Sequence, residues 1–342
     1  MSAKNYREIV EAQIKHEQTS QQPYFLEFTP PLERDITKYY GSPDWIYAIE
    51  PYIVQRSCFD TWDTIRYNSA CQGMDAYGST WTVTEKIAHL DTPAVTKETY
   101  GQYSWPVLDD FVSEQKLRWV KAVYDAYDRS FRVFHVGGGL YELSWRMLGV
   151  EPTLMHMIED EDFYQDILDN LCELLLGFID EAAKLPVEGV LIGDDWCDQR
   201  GVTFGHHRFR ELFKERYKML FQRIHEHGKY AMAHVCGDVS SIIPDLIEIG
   251  LDVLESVQPE PEGMNPFELK RLYGEQITFW GGLGVQHDVM QEDPSMLRHT
   301  IQKLRNEMSK NGGYILAPAK PLNTDIPLEN VITIFETFIG RG

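Results

Sequence analysis

The stretch that decides the fold is residues 187–235, which read VEGVLIGDDWCDQRGVTFGHHRFRELFKERYKMLFQRIHEHGKYAMAHV. It begins with a short apolar run, Val187–Ile192, and ends with a second one, Tyr230–Val235. Between them, His206–His227 has apolar residues at helical spacing, and Gly228 follows as a stop signal. A strand, a helix and another strand in this order are typical of a parallel βαβ unit.

The same alternation continues in both directions along the chain. Short apolar runs predict eight strands: Tyr24–Phe28, Val54–Phe59 (or Met74–Tyr77 in its place), Phe131–Val136, Val187–Ile192, Tyr230–Val235, Leu251–Val257, Ile277–Gly281 and Tyr314–Ala317. Asp293-Pro294 and Pro327 are predicted to open the last two helices. This pattern favours an α/β fold, a single (β/α)8 TIM barrel, although a doubly wound open sheet would give a similar sequence pattern.

The chain has the composition of one globular unit. Of its 342 residues, 43% are hydrophobic and 25% are charged, and no Ser/Gly-rich linker divides them. We therefore expect a single barrel domain over 1–342. Within it, residues 1–110 are predicted to form an irregular N-terminal wrap with the first strands, and residues 111–342 the main barrel.

Charge and cysteine usage narrow the class of protein. Asp and Glu number 53 against 32 Lys and Arg, and the net charge of −21 argues against binding nucleic acid or an anionic membrane. Five cysteines without a CxxC pair argue against a disulfide framework. Residues 1–22 lack the apolar core of a signal peptide, and no run of 18 apolar residues occurs. We expect a cytoplasmic protein, with a homodimer as the default assembly.

Polar residues follow the predicted strands at the end where barrel enzymes carry out their chemistry. His234 and Cys236 are two residues apart on an extended strand, so both side chains point to the same face. An imidazole and a thiolate in this arrangement suit a soft cation such as zinc. Glu255 ends the neighbouring predicted strand and is a candidate third ligand. The alternative is a buried histidine beside an inert cysteine.

Further candidates lie at other strand ends. Asp194 and Asp195 are candidate catalytic carboxylates, but only one of two adjacent residues can face the barrel mouth. The other is expected to cap a loop or helix, or to meet an arginine. Lys320 is a third candidate catalytic residue. The candidate substrate-binding residues are Glu142, Gln199, Arg200 and His287.

Gly137-Gly138-Gly139 follows a predicted strand but lacks the GxGxxG spacing of a dinucleotide-binding loop. We expect these glycines to let the backbone approach a ligand or another loop closely.

Several stretches resemble the uroporphyrinogen decarboxylase superfamily, and the likeness covers nearly the whole chain. They are Pro23–Phe28 (PYFLEF), Gly137–Val150 (GGGLYELSWRMLGV), Gly193–Arg200 (GDDWCDQR), His234–Gln258 and Gly312–Val331 (GGYILAPAKPLNTDIPLENV). The resemblance implies a (β/α)8 barrel.

Two branches of that superfamily differ at residues that this chain displays. True decarboxylases carry an arginine-rich MRQAGR-type segment, whereas the corresponding region here reads PYFLEFTPPLER. Corrinoid-linked methyltransferases hold zinc with an HxC pair, a later acidic residue and a final cysteine. His234, Cys236 and Glu255 resemble the first three of those ligands, but Lys320 stands in place of the cysteine. Either zinc has three protein ligands, or the Lys320 charge pairs with Glu255 or Asp194 and replaces the metal.

The resemblance implies a methyltransferase that acts with a separate corrinoid protein, in demethylation of a small methoxylated or methylated compound. A decarboxylase of uroporphyrinogen or another polycarboxylate is the first alternative, with Asp194 or Asp195 at the pyrrole and Lys320 and Arg200 on carboxylates. The second alternative is a barrel that binds a ligand without catalysis.

Overall fold

Seven parallel strands form the central sheet of the computed structural model, which describes residues 5–69, 71–84, 88–286, 289 and 292–341. They are β1 (Ile53–Ser57), β2 (Phe131–Gly138), β3 (Gly189–Gly193), β4 (Tyr230–His234), β5 (Val253–Val257), β6 (Thr278–Leu283) and β7 (Tyr314–Pro318). Each strand pairs with the next in chain order, and every pairing is parallel. Consecutive parallel pairing with a helix between most strands is the arrangement of a TIM barrel.

The extended segment 23–28 lies beside β7 as the eighth element of the barrel wall. The Phe25 amide donates to the Leu316 carbonyl at 2.9 Å, and the Leu316 amide donates to Pro23 at 3.1 Å. Isolated parallel bridges join Tyr24 to Leu316 and Phe28 to Leu322. The predicted barrel is therefore confirmed, although its first predicted strand forms only isolated bridges.

The sequence offered two segments for the second strand. In the structure, β1 overlaps the first of them, Val54–Phe59. The other option, Met74–Tyr77, borders a separate antiparallel sheet that the sequence did not predict. That sheet consists of Arg66–Tyr67, Gln72–Met74, Thr80–Val83 and Ala88–Thr92. Its buried Asp75 accepts hydrogen bonds from the Trp81 indole at 2.7 Å and the Ser79 amide at 2.9 Å, which holds the turn together.

The helices surround the sheet. They are α1 (Tyr6–Ile14), α2 (Pro30–Tyr40), α3 (Thr61–Thr64), α4 (Glu114–Ala126), α5 (Leu140–Leu148), α6 (Val150–Glu159), α7 (Glu161–Ala183), α8 (His206–Arg208), α9 (Lys214–Glu226), α10 (Ile243–Glu248), α11 (Pro266–Tyr273), α12 (Pro294–Met308) and α13 (Leu328–Phe338). Short 3-10 turns lie at Pro43–Ala48, Tyr100–Gln102, Leu108–Asp110 and Glu262–Met264, and a hairpin pairs Cys197–Asp198 with Gly201–Val202.

The predicted helix signals act as expected. The Asp293 carboxylate accepts from the amides of Ser295 and Met296 at the start of α12. The predicted helix His206–His227 comprises α8, a π-helical turn Phe209–Phe213 and α9. No helix of the described residues is long and apolar enough to cross a membrane.

In the described part of the chain, one hydrophobic core runs from α1 to α13. Gly189 shows how close the packing is, because a β-carbon there would lie 2.6 Å from the Met232 sulfur. The sheet is therefore a rigid support for the residues at its carboxyl ends.

Candidate active site

Three side chains with metal-binding atoms converge at the carboxyl ends of β3 and β4. His234 ends β4, Cys236 follows it by two residues, and Asp195 follows β3. The His234 Nε2 and Cys236 Sγ atoms are 3.4 Å apart, and Asp195 Oδ1 accepts a 3.0 Å hydrogen bond from the Cys236 amide. One ligand atom from each residue lies within 4.8 Å of the other two. This spacing would allow all three to contact one cation.

Glu255 contacts the opposite side of the same imidazole. It is the register partner of His234 across β4 and β5, and its carboxylate forms a short hydrogen bond with His234 Nδ1. Burial disfavours a charged ring, but Glu255 and Cys236 outweigh it and raise the pKa of His234 well above its ordinary value. Glu255 therefore orients the imidazole from Nδ1. The residue that groups with His234 and Cys236 in this structure is Asp195, whereas the sequence suggested Glu255 as the third ligand.

A bulge in β5 fixes the position of Glu255. The register with β6 shifts between Glu255 and Val257, and the intervening Ser256 has a φ of 65°, which is unusual for a non-glycine residue. The buried Ser256 hydroxyl donates to the Ala319 carbonyl. This contact ties the bulge to the residue that precedes Lys320.

A small cavity of about 160 Å³ adjoins the imidazole. His234, Glu255 and Lys320 line it together with Phe25 and Glu27. Lys320 is exposed, and within the described ranges its ammonium forms no salt bridge with Glu255 or Asp194. The lysine charge is thus available to the cavity.

Asp194 directly follows β3 and is fully buried. Its carboxylate accepts hydrogen bonds from the Tyr141 and Glu142 amides at 2.9 and 2.7 Å, which are orphan donors in the first turn of α5. The Trp196 indole at 2.7 Å and the Tyr217 hydroxyl also donate to it. Burial raises its pKa to about 6 despite these four donors. Asp194 therefore caps a helix, the alternative considered for one of the two aspartates.

The glycine run permits that cap. A β-carbon at Gly139 would lie 2.2 Å from the Tyr217 hydroxyl and 2.6 Å from Asp194 Cβ. Only glycine leaves room for these groups. The expectation that the glycines allow a close approach to another loop is met at this position.

Glu142 belongs to a buried charge network rather than to an open pocket. Its carboxylate pairs with the Arg146 guanidinium at 3.0 Å, and Arg146 also contacts Asp60 at 3.3 Å and Thr61 at 3.1 Å. Burial raises the pKa of Glu142 to about 7, because it outweighs the opposing charge of Arg146. Arg146 and Asp60 were not predicted from sequence.

The remaining predicted substrate-binding residues are not brought to this cavity by the described structure. Gln199 and Arg200 are exposed in the hairpin after β3, and the Arg200 side chain is 90% exposed and pairs with Asp198 at 2.9 Å. His287 lies outside the described residues.

The sequence analysis did not predict three of the polar residues that line this cavity. Glu27 and Gln55 line the cavity from segment 23–28 and from β1, and His135 lines it from β2. Burial and the Glu255 charge raise the pKa of Glu27, and burial lowers the pKa of His135 to about 4. A polar residue inside a predicted apolar strand, as in PYFLEF or FRVFHV, was the signal available for two of them.

Comparison with known proteins agrees with this architecture. The sequence model of the uroporphyrinogen decarboxylase (URO-D) family matches residues 72–339. A methyltransferase from Methanosarcina mazei is 15% identical, with a TM-score of 0.74 and 98% of each chain covered. A B12-independent methionine synthase from Shewanella sp. W3-18-1 is 12% identical, with a TM-score of 0.49 and 94% of each chain covered.

No curated protein sequence gives a significant match. At 15% identity the Methanosarcina mazei structure establishes the fold alone, whereas the family match extends over most of the chain, from the antiparallel sheet to the last helix. By that match, the chain belongs to the uroporphyrinogen decarboxylase family.

Proposed function

We propose that this protein is a methyltransferase that works with a corrinoid protein and takes a methyl group from a small methoxylated or methylated compound. The observation that carries the proposal is the convergence of the His234 imidazole, the Cys236 thiol and the Asp195 carboxylate within 4.8 Å at the barrel's carboxyl end. The fold shared with a Methanosarcina mazei methyltransferase over 98% of both chains supports it.

The donor set fits zinc. Zinc in proteins takes nitrogen, sulfur and carboxylate ligands, and catalytic sites hold it with three of them and leave one position to substrate or water. A histidine ligand usually donates its second ring nitrogen to a carboxylate, which is the relation between His234 Nδ1 and Glu255. When bound, the metal would supply Lewis acidity to the substrate heteroatom that carries or receives the methyl group.

The chain's own groups would prepare the site for that reaction. Glu255 orients the His234 imidazole, and the hydrogen bond from the Cys236 amide to Asp195 sets the distance between two loops. Lys320 lines the adjoining cavity and can pair with negative charge on a substrate. The open strand ends would face the corrinoid partner.

The decarboxylase alternative has less support from the same geometry. In that alternative, Asp194 or Asp195 would contact the pyrrole of the substrate, and Lys320 and Arg200 would bind its carboxylates. Asp194 is fully buried and satisfied by four donors, and Arg200 points to solvent. Incubation with reduced uroporphyrinogen, followed by assay of carbon dioxide, therefore serves as the opposing test.

The direct experiment combines metal analysis with methyl transfer. Purified protein is expected to contain about one zinc ion per chain and to convert cob(I)alamin, used in place of the corrinoid protein, to methylcobalamin in the presence of a small methoxylated or methylated compound. His234→Ala and Cys236→Ala should lose both properties, whereas Arg200→Ala should keep them. Full turnover in chelator, absence of zinc from active protein, or decarboxylation of uroporphyrinogen would refute the proposal.

A further inference from the structure

The barrel wall has an opening between segment 23–28 and β1. Segment 23–28 pairs with β7, and β1 pairs with β2, but among the described residues no backbone hydrogen bond joins the segment to β1. A cleft of about 600 Å³ lies there, lined by residues 24–28 on one side and 53–57 on the other. This opening is at the side of the barrel.

The lateral cleft is continuous with the cavity beside His234. Phe25, Glu27, Gln55 and His135 line both of them. A molecule lying in the cleft could therefore extend one end into the smaller cavity and reach the imidazole. It would leave the top of the barrel free for a second reactant.

Three residues that line the cleft each carry a buried polar atom without a hydrogen-bond partner in the described structure. His135 Nε2, Ser57 Oγ and Arg56 Nε are buried and have no hydrogen-bond partner among the described residues. Buried polar groups are nearly always hydrogen-bonded, so these atoms leave hydrogen-bonding capacity unused beside the cleft. All three belong to residues that line the cleft.

The charge of the lining favours a cation. Glu27, Glu33 and Glu50 line the cleft, and Arg56 is the opposing charge. The Arg56 guanidinium lies 5.9 Å over the Trp119 ring and donates to the Gln55 carbonyl at 2.6 Å. Among the described residues, the Glu27 carboxylate forms no side-chain hydrogen bond or salt bridge, and the Arg56 charge acts on it without direct contact. Its place at the junction of the two cavities makes it the charge that a ligand would meet.

Aromatic side chains complete the cleft. Tyr24, Phe25 and Tyr127 line it, and Phe25 meets Trp280 edge to face at 5.3 Å. Aromatic faces attract organic ammonium groups and pack against flat apolar bodies. The lining therefore suits an aromatic or aliphatic amine better than a polycarboxylate.

We propose that the lateral cleft binds the body of the small-molecule substrate and that this substrate carries an organic ammonium group paired with Glu27. The inference rests on the proposed function for the reaction at the other end of the molecule. The methyl-bearing end would enter the cavity beside His234.

Three ligands that share a methoxyphenyl group and differ in charge test the proposal: para-methoxyphenethylamine, para-methoxyphenethyl alcohol and para-methoxyphenylpropanoate. Binding is measured by calorimetry on the metal-free protein. We expect the amine to bind about tenfold more tightly than the alcohol, since a charged hydrogen bond is gained. Glu27→Gln should reduce that preference to about threefold or less. Glu268→Gln, a change in an exposed ion pair on α11, should preserve it.

A second variant tests the position of the ligand. Gln55→Trp should fill the junction of the two cavities and abolish amine binding, while thermal melting checks that the barrel still folds. If that variant does not fold, the charge preference of Glu27→Gln decides the matter.

Equal binding of the three ligands would overturn the proposal. So would preferred binding of the propanoate that is lost in Lys320→Met. Calorimetry without metal needs no methyl transfer, so failure of the proposed function and failure of this inference give different results.

Discussion

Two neighbouring aspartates end in opposite environments. Asp194, with Trp196, Tyr217 and the first turn of α5, forms a region that we call the anchor, and every contact of its carboxylate comes from the protein. Asp195 belongs to the mouth, the group that also contains His234, Cys236 and Glu255, where three ligand atoms face one another. A buried carboxylate whose hydrogen bonds are all made within the protein indicates a structural role. Metal-binding atoms that converge on one point indicate a binding role.

The strongest way to break this comparison is to remove the anchor. Asp194→Ala would leave two amides, an indole and a phenol without their acceptor in a buried site. We expect a loss of about 3 to 5 kcal/mol in the free energy of unfolding. Urea denaturation followed by circular dichroism measures it.

Asp194→Asn is the matched control, because it keeps an acceptor oxygen and the side-chain volume. It should lose less stability than the alanine variant. If Asp194→Ala instead left stability unchanged and abolished methyl transfer, Asp194 would belong to the catalytic residues and the distinction between the two regions would fail.

At the mouth the expected effect falls on metal binding instead. Glu255→Gln weakens the acceptor that holds His234 Nδ1. Loss of such a partner typically lowers metal affinity about 10- to 100-fold, and we expect that range for zinc. Competition with a chromogenic chelator measures it.

The companion measurement is stability without metal. Since Glu255 contacts one buried group where Asp194 contacts four, the free energy of unfolding of the metal-free variant should fall by less than in Asp194→Ala. A large loss of stability with unchanged zinc affinity would make Glu255 a structural residue.

The sequence predicts the frame of the molecule better than its contacts. Apolar periodicity located β1 to β7 and the signal Asp293-Pro294 located α12, because strand and helix patterns are local. The antiparallel sheet between Arg66 and Thr92 was missed. Its strands are two to five residues long and several face solvent, so they have little apolar alternation to detect.

The candidate site was predicted in part. Local spacing was enough to place His234 and Cys236 on one face. The roles of the two aspartates depend on partners 23 to 53 residues away, and the place of Glu255 depends on which ring nitrogen it meets. Such choices are made by packing between strands, which a single sequence does not display.

Glu142 connects the two regions, since its amide is held by Asp194 and its carboxylate by Arg146. Its folded-state pKa of about 7 exceeds the ordinary value of 4.5, so the folded state binds the proton more tightly. This contribution to stability is complete below about pH 4.5 and is lost as the pH rises through 7. Glu142→Gln should remove about 3 kcal/mol of that decline.

Urea denaturation at a series of pH values measures the effect. Glu268→Gln, in an exposed pair, provides the control and should follow the wild type. An unchanged pH profile in Glu142→Gln would show that Arg146 keeps the Glu142 carboxylate charged throughout, and the anchor would then end at Asp194.

The smallest effect is expected at Arg200, and it sharpens the comparison because Arg200 is near Asp195 in the chain but not at the mouth. Its side chain is 90% exposed and, among the described residues, pairs with Asp198. Exposed pairs contribute about 0 to 1 kcal/mol, so Arg200→Ala should leave stability, zinc affinity and methyl transfer nearly unchanged. A rise in KM with an unchanged kcat would instead mean that the hairpin folds over the substrate. In that case the mouth would include the hairpin, and the boundary between binding and structural residues would lie beyond the strand ends.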